Sequence, residues 1–155
     1  MLIRMFKEQD AKNISNLIIE TMLQTNKYDY PKDNLEKFIK EQTPEHIIEW
    51  ANWTHFYVVE DDDEIIGCGA IGAYWGREDE SSLFKIFVLP KYQKKGIGRK
   101  IIEKLESDEF AIRAKRIEVP ASITAVEFYK KMGYRYKNNI DKVDEEGLYR
   151  LEKIK

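Results

Sequence analysis

Leu83-Phe84-Lys85-Ile86-Phe87-Val88-Leu89-Pro90-Lys91-Tyr92-Gln93-Lys94-Lys95-Gly96-Ile97-Gly98-Arg99-Lys100 decides how this chain is read. Its first seven residues are an apolar run rich in aromatic and branched side chains, which favours a buried strand. Pro90 closes the run, and Ile101-Ile102-Glu103-Lys104-Leu105 reads as a helix. The order is therefore strand, glycine-containing turn, helix N-terminus. Free N–H groups and partial positive charge at a helix start form an anion site. Gly96 and Gly98 allow the backbone close to a ligand. Five Lys or Arg and no acid fall within residues 91–100, although the whole chain has a net charge of −2. That local excess suits a pyrophosphate. A nucleotide P-loop is excluded because no Gly-Lys-Ser/Thr occurs, and a dinucleotide fingerprint because the third glycine is missing.

Working outward, 155 residues are expected to fold as a single domain, 1–155, with a full core. No apolar run approaches the roughly 18 residues of a membrane span. The segment Met1-Leu2-Ile3-Arg4-Met5-Phe6 lacks the pattern of a signal peptide, and the single cysteine, Cys68, cannot form an internal disulfide. A cytoplasmic location is the expectation. The near-neutral charge balance gives no basic face for nucleic acid.

Leu2–Phe6 suits a first strand. Ile14, Leu17, Ile18 and Met22 recur at helical spacing and predict a helix over about 10–25. Pro31 places a loop at 26–31. A second helix is expected over 32–41, and Thr43-Pro44 reads as an N-cap and first position of a third. His55–Glu60, the turn Asp61-Asp62-Asp63, and Glu64 to about Trp75 read as a hairpin. Gly67 and Gly69 share one face of its second strand, which implies close approach by another backbone or a ligand. Strands are further expected at 82–89 and 116–119. A helix runs from the glycine turn to about 108, and 108–115 is open between an extension of that helix and a separate element. A helix over Thr124–Met132 ends at Gly133. Two antiparallel strands, Tyr134–Lys137 and Leu148–Ile154, finish the chain. Strands interleaved with helices argue for α/β with a mixed sheet.

Two motifs bear a family resemblance. Gln93-x-x-Gly96-x-Gly98 after an apolar strand resembles the acetyl-CoA signature of the GNAT-superfamily N-acetyltransferases. Thr124-Ala125-Val126-Glu127-Phe128-Tyr129-Lys130-Lys131-Met132-Gly133-Tyr134 resembles their later helix. The motifs stand about 30 residues apart in the family's order, and the element order agrees over nearly the whole chain. The resemblance implies a three-layer α/β fold with a central mixed sheet of about six or seven strands and helices on both faces. It implies acetyl-CoA as cosubstrate, with no metal, and acetyl transfer to a primary amine of a small molecule or peptide. Backbone amides of 94–99 would bind the pyrophosphate, with Gln93, Gly96, Ile97 and Gly98 shaping the turn and Lys94, Lys95, Arg99 and Lys100 as candidate phosphate partners. Main-chain groups of Phe87 and Val88 would meet the acetyl and pantetheine portions. Tyr129 would protonate the leaving thiolate.

Other positions are open. Many relatives have Asn where this chain has Ser122, so Ser122 is read either as a weak partner of the CoA arm or as a helix cap. Glu80 and Glu118 are the candidate bases, each of which also reads as a solvated charge. Tyr28, Tyr30, Tyr74 and Trp75 are candidates to line the acceptor side or simply to pack. Acidic loops at 61–64 and 78–80 would suit a cationic amine. His46, His55 and Cys68 read as structural. The alternative is a non-catalytic acyl-CoA-binding sensor or regulatory module, which keeps the phosphate turn without the chemistry; a generic interaction domain would bind no CoA. A homodimer is compatible with the sequence, which does not encode the oligomeric state in any readable motif.

Overall fold

The run from Leu83 to Val88 is central in a seven-stranded sheet in the computed structural model of the chain, which describes all 155 residues. The elements are β1 (Leu2–Met5), α1 (Ala11–Gln24), α2 (Lys32–Glu41), α3 (Pro44–Trp53), β2 (His55–Asp61), β3 (Glu64–Ala73), β4 (Glu80–Val88), α4 (Ile97–Glu106), α5 (Glu109–Arg113), β5 (Arg116–Ala121), α6 (Val126–Lys131), β6 (Arg135–Tyr136) and β7 (Tyr149–Ile154). The strand order is β1-β2-β3-β4-β5-β7-β6. β4 and β5 are the parallel pair, and every other neighbouring pair is antiparallel. The result is the mixed α/β architecture expected, with helices on both faces.

One face is covered by α1 and α3, with α2 packed on α1; the other is covered by α4 and α5. The apolar periodicity of α1 is its buried face: Ile14, Leu17, Ile18 and Met22 are all core residues. Thr43 caps α3 by accepting the His46 N–H at 3.2 Å. The glycines of β3 serve a helix. A Cβ on Gly69 would stand 2.7 Å from Cγ2 of Ile101 and 3.2 Å from Cδ1 of Leu105, so α4 sits on the bare backbone. No helix is long and apolar enough to cross a membrane.

Several boundaries are settled or shifted by the structure. β3 ends at Ala73, because Trp75 takes a left-handed φ of 47° in a 3-10 turn over Tyr74–Gly76. β4 begins two residues early, at Glu80, where its parallel partner starts at Arg116. The segment after α4 is a separate helix, since the Asp108 carboxylate accepts the Phe110 N–H at 2.9 Å and starts a new N-terminus. The last helix is α-helical only over Val126–Lys131, after a 3-10 turn at Ile123–Ala125.

Candidate active site

β4 and β5 pair only through Glu80–Ser82 and Arg116–Glu118. Beyond that they separate, and a cavity of about 760 Å³ opens between Leu83–Val88 on one side and Val119–Pro120 on the other. A bulge accompanies the separation. Against β3, Cys68 faces Phe87 and Ala70 faces Phe84, so Lys85 and Ile86 together stand opposite Gly69. Lys85 takes a left-handed φ of 51° there. A bulge bends its strand and re-aims side chains, and a non-glycine residue in this conformation stores about 1–3 kcal/mol of strain.

At one end of the cavity is the glycine turn. Lys94 and Gly96 have φ of 62° and 83°. The N–H groups of Lys94 through Arg99 meet no backbone carbonyl, and the first such bond is Lys100 N–H to Gly96 O at 3.2 Å. A Cβ built on Gly96 would find nothing within 4 Å, so open space faces this cradle. Gly98 is needed for packing, since a Cβ there would lie 3.1 Å from Cζ of Phe128. Lys94, Gly96, Gly98 and Arg99 line the cavity; Lys95, Ile97 and Lys100 do not. Ile97 is a core residue, and Lys95 stands over the Tyr92 ring at 5.6 Å. Gln93 acts as a brace: its Nε2 donates to the Val88 carbonyl at 2.9 Å and to Oγ1 of Thr25 at 3.0 Å.

Tyr129 reaches the cavity from α6. It is buried, at 5 % exposure, and its hydroxyl makes no hydrogen bond to another protein group. Burial, and secondarily Tyr30, push its pKa well above the ordinary tyrosine value, so the phenol stays protonated at neutral pH. Ser122 also lines the cavity. It is no cap: its side chain makes no bond to the following turn, and its Oγ instead accepts from Nδ2 of Asn26 at 3.3 Å. Asn26, two residues past the end of α1, lines the cavity beside it. The same loop is fastened by Asp29, which accepts from Oγ1 of Thr124 at 2.6 Å.

The other end of the cavity is aromatic, built from Tyr30, Phe38, Trp50 and Phe84. Burial, with Asp29 nearby, pushes the Tyr30 phenol up to about 12. Of the four aromatics proposed for the acceptor side, only Tyr30 lines the cavity. Tyr28 and Trp75 are exposed, and Tyr74 is engaged by the Arg116 guanidinium over its ring at 5.1 Å and by Nζ of Lys137 at 3.2 Å. The acidic loops lie elsewhere too. Glu64 meets Tyr92 and Lys91, while Asp79 and Glu80 meet Arg77.

Neither candidate base faces the cavity. Glu118 is 1 % exposed and bound by Arg116 and by Lys137 at 2.9 Å. Glu80 accepts from Arg116 at 2.8 Å and is also paired with Arg77. In β5, Val119 and Pro120 line the cavity, whereas Glu118 is held in the ion cluster with Arg116 and Lys137. The carboxylates that do line the cavity, Glu41 and Glu146, are exposed at its rim. No group of three or more His, Cys, Asp or Glu is arranged to hold a metal ion.

Lys85 is the charged group that sequence reasoning passed over. Its Nζ donates to Oε1 of Gln42 at 3.0 Å and lies 4.7 Å from the centre of the Trp50 ring. Phe84 packs on the same ring, with centroids 4.8 Å apart. Successive strand residues normally point to opposite faces, so the left-handed turn at Lys85 brings it to the side of its neighbour. Burial pulls its pKa down to about 8. The signal was present in the chain as the one charge within Leu83–Leu89.

With this geometry in place, the family model for the acetyltransferase (GNAT) domain matches residues 52–136. The chain is 32% identical over 124 residues to YjcF, an uncharacterised N-acetyltransferase of Bacillus subtilis (strain 168), which covers 77% of this chain and 85% of the relative. The PaiA N-acetyltransferase from Thermoplasma acidophilum, solved in complex with coenzyme A, superposes with a TM-score of 0.83 over 99% of this chain and 98% of its own, at 17% identity. An aminoglycoside 6'-N-acetyltransferase complexed with coenzyme A gives 0.76 over 99% and 97%, at 18% identity.

Proposed function

The chain belongs to the GNAT family of acetyl-CoA-dependent acetyltransferases, and on that premise we propose that it acetylates a primary amine by direct attack on the thioester, with Tyr129 as the general acid. One observation supports this above the others. A single cavity joins the unpaired amides of the α4 start, the free Tyr129 hydroxyl and a separate aromatic end.

The amides of Lys94–Arg99, with Lys94 and Arg99 beside them, hold the pyrophosphate. Main-chain N–H groups near Phe87 and Val88 steady the carbonyl oxygen as it gains negative charge. A neutral amine entering from the aromatic end attacks that carbon. The C–N bond forms, the C–S bond breaks, and Tyr129 gives its proton to the departing sulfur. The proton lost by the amine nitrogen leaves through the open rim, and Tyr129 regains a proton from solvent by the same opening. An amine already neutral on arrival requires no buried carboxylate, in keeping with the engagement of Glu80 and Glu118 by arginine and lysine.

The test is thiol release from acetyl-CoA across a panel of amines. Tyr129→Phe should keep acetyl-CoA affinity and lower kcat by about tenfold or more; unaltered kcat overturns the acid role. The lack of an interior carboxylate favours one alternative, a sensor that binds acetyl-CoA without reacting. Calorimetric binding with no thiol release from any amine would select it.

A further inference from the structure

We infer that Lys85 is the acceptor-recognition group of this cavity, and that the acceptor is a primary amine bearing an anionic group of its own, a carboxylate or a phosphate. The inference rests on the transferase reading above and narrows its substrate.

Four cations line the cavity: Lys85, Lys94, Arg99 and Lys131. The last three are exposed, and two of them flank the glycine turn. Lys85 alone is set back from solvent, at the opposite, aromatic end. It has no carboxylate within ion-pairing distance, although Glu41 at the rim acts on its charge from farther off; its hydrogen-bond partner is the neutral Oε1 of Gln42, and its Nζ lies over the face of Trp50. An ammonium has three donors, so two remain for a ligand.

The surroundings hold this arrangement in place. Gln42 is buried, its carbonyl accepts from Oγ of Ser15, and its Nε2 donates to the Phe38 carbonyl at 3.0 Å. Its Oε1 is thereby aimed at Lys85. The Lys85 carbonyl accepts from Sγ of Cys68 at 3.2 Å, and the left-handed φ of 51° fixes the direction of the side chain. Without that turn, Lys85 would face the α4 side of the sheet, where Ile101 and Leu105 crowd Gly69.

A purely structural role does not account for the charge. An apolar chain such as Met would fill the same space against Trp50 without desolvating an ammonium, and burying an unpaired charge is unfavourable. A ligand anion would supply the missing counter-charge, and a charged partner in a low-dielectric site makes a strong, directional bond. Lys85 is also two residues before Phe87 in β4, so an anion on Lys85 leaves an amine a few bonds away near the main chain of Phe87–Val88. The two rim carboxylates, Glu41 and Glu146, are exposed and leave the interior charge positive.

The decisive experiment measures thiol release with matched amines: amino carboxylates and aminoalkyl phosphates of two to six carbons, their neutral amides or alcohols, and diamines of equal length. The anion-bearing members should exceed their neutral partners by at least about tenfold in kcat/KM. Lys85→Met should collapse that ratio at least about tenfold, chiefly through KM, and Lys85→Arg should restore part of it. Tyr28→Ala, on the exposed surface, should keep the ratio. Equal turnover of neutral and anionic amines, or a preference that survives in Lys85→Met, overturns the inference and leaves the transferase reading intact. Acetyl-CoA binding with no thiol release from any amine overturns both. Faster turnover of diamines overturns the inference in favour of a cationic acceptor.

Discussion

At Lys85, burial moves the ammonium from the ordinary lysine value of 10.5 to about 8, with Cys68 and Glu41 opposing the shift. His46 feels the same charge and is lowered in turn, mainly by its own burial. The unfolded chain keeps this proton up to about 10.5, whereas the folded chain releases it near 8. Between those values the unfolded state binds more protons, so stability rises with pH across that window, and below it the penalty is present in full. Lys85→Met should therefore be more stable at pH 7 by on the order of 1–3 kcal/mol, with the margin shrinking as pH climbs past 8. Urea denaturation at pH 7 and at pH 9.5 checks both the sign and the trend. Glu118 is the converse case. It is enclosed by Arg116 and Lys137 away from the cavity. Glu118→Gln should lower stability by about 1–3 kcal/mol, because it removes the buried charge that the half-buried Arg116 and Lys137 pair with. Thiol release at a temperature where the variant is folded should not change; a large loss would return Glu118 to the chemistry.

At the scale of elements, the seat of α4 on β3 ties stability to ligand binding. Gly69 gives Ile101 and Leu105 room to settle on bare backbone, and the same helix begins with the free amides of the glycine turn. Gly69→Ala would place a Cβ 2.7 Å from a branched methyl of Ile101, so the helix must lift. The cost should be about 1–3 kcal/mol in chemical denaturation, together with weaker acetyl-CoA binding by calorimetry. Denaturation without weaker binding would mean that the helix start is held independently of its seat. Phe128 on Gly98 and Gln93 on Val88 are the contacts that could do so.

Across the whole molecule, charge is unevenly placed. The net charge is −2, yet Lys94, Arg99 and Lys131 all line the cavity in exposed positions, the first two at its glycine turn. Exposed charges are screened within roughly 10 Å at 0.1 M salt. Raising NaCl from about 0.05 to 0.5 M should weaken acetyl-CoA binding severalfold, a trend calorimetry can follow; a flat response would assign the affinity to the backbone amides alone. Distance along the chain also explains what could be read beforehand. The strand, turn and helix at 80–106 and the helix ending at Gly133 are local patterns, so periodicity and glycine placement revealed them. The aromatic end joins Tyr30 from the loop before α2, Gln42 from just past the end of α2, Trp50 from α3 and Lys85 from β4. Its composition depends on one left-handed residue in β4, which no spacing rule announces. The facing of Glu118 was not legible for a related reason: it follows from the strand register, and register is set by partners far away in sequence.

The three-residue pairing of β4 with β5 leaves the sheet unzipped in its middle. Past Ser82 and Glu118, two strands inside one sheet present unmatched peptide groups to each other across a gap. The sheet therefore has a vulnerable border in its middle as well as at β1 and β6. An extended chain of amides lying in the gap would close that border as a strand does. The cosubstrate, with its own amide-bearing arm, would then cover the seam, so added acetyl-CoA should slow aggregation on heating.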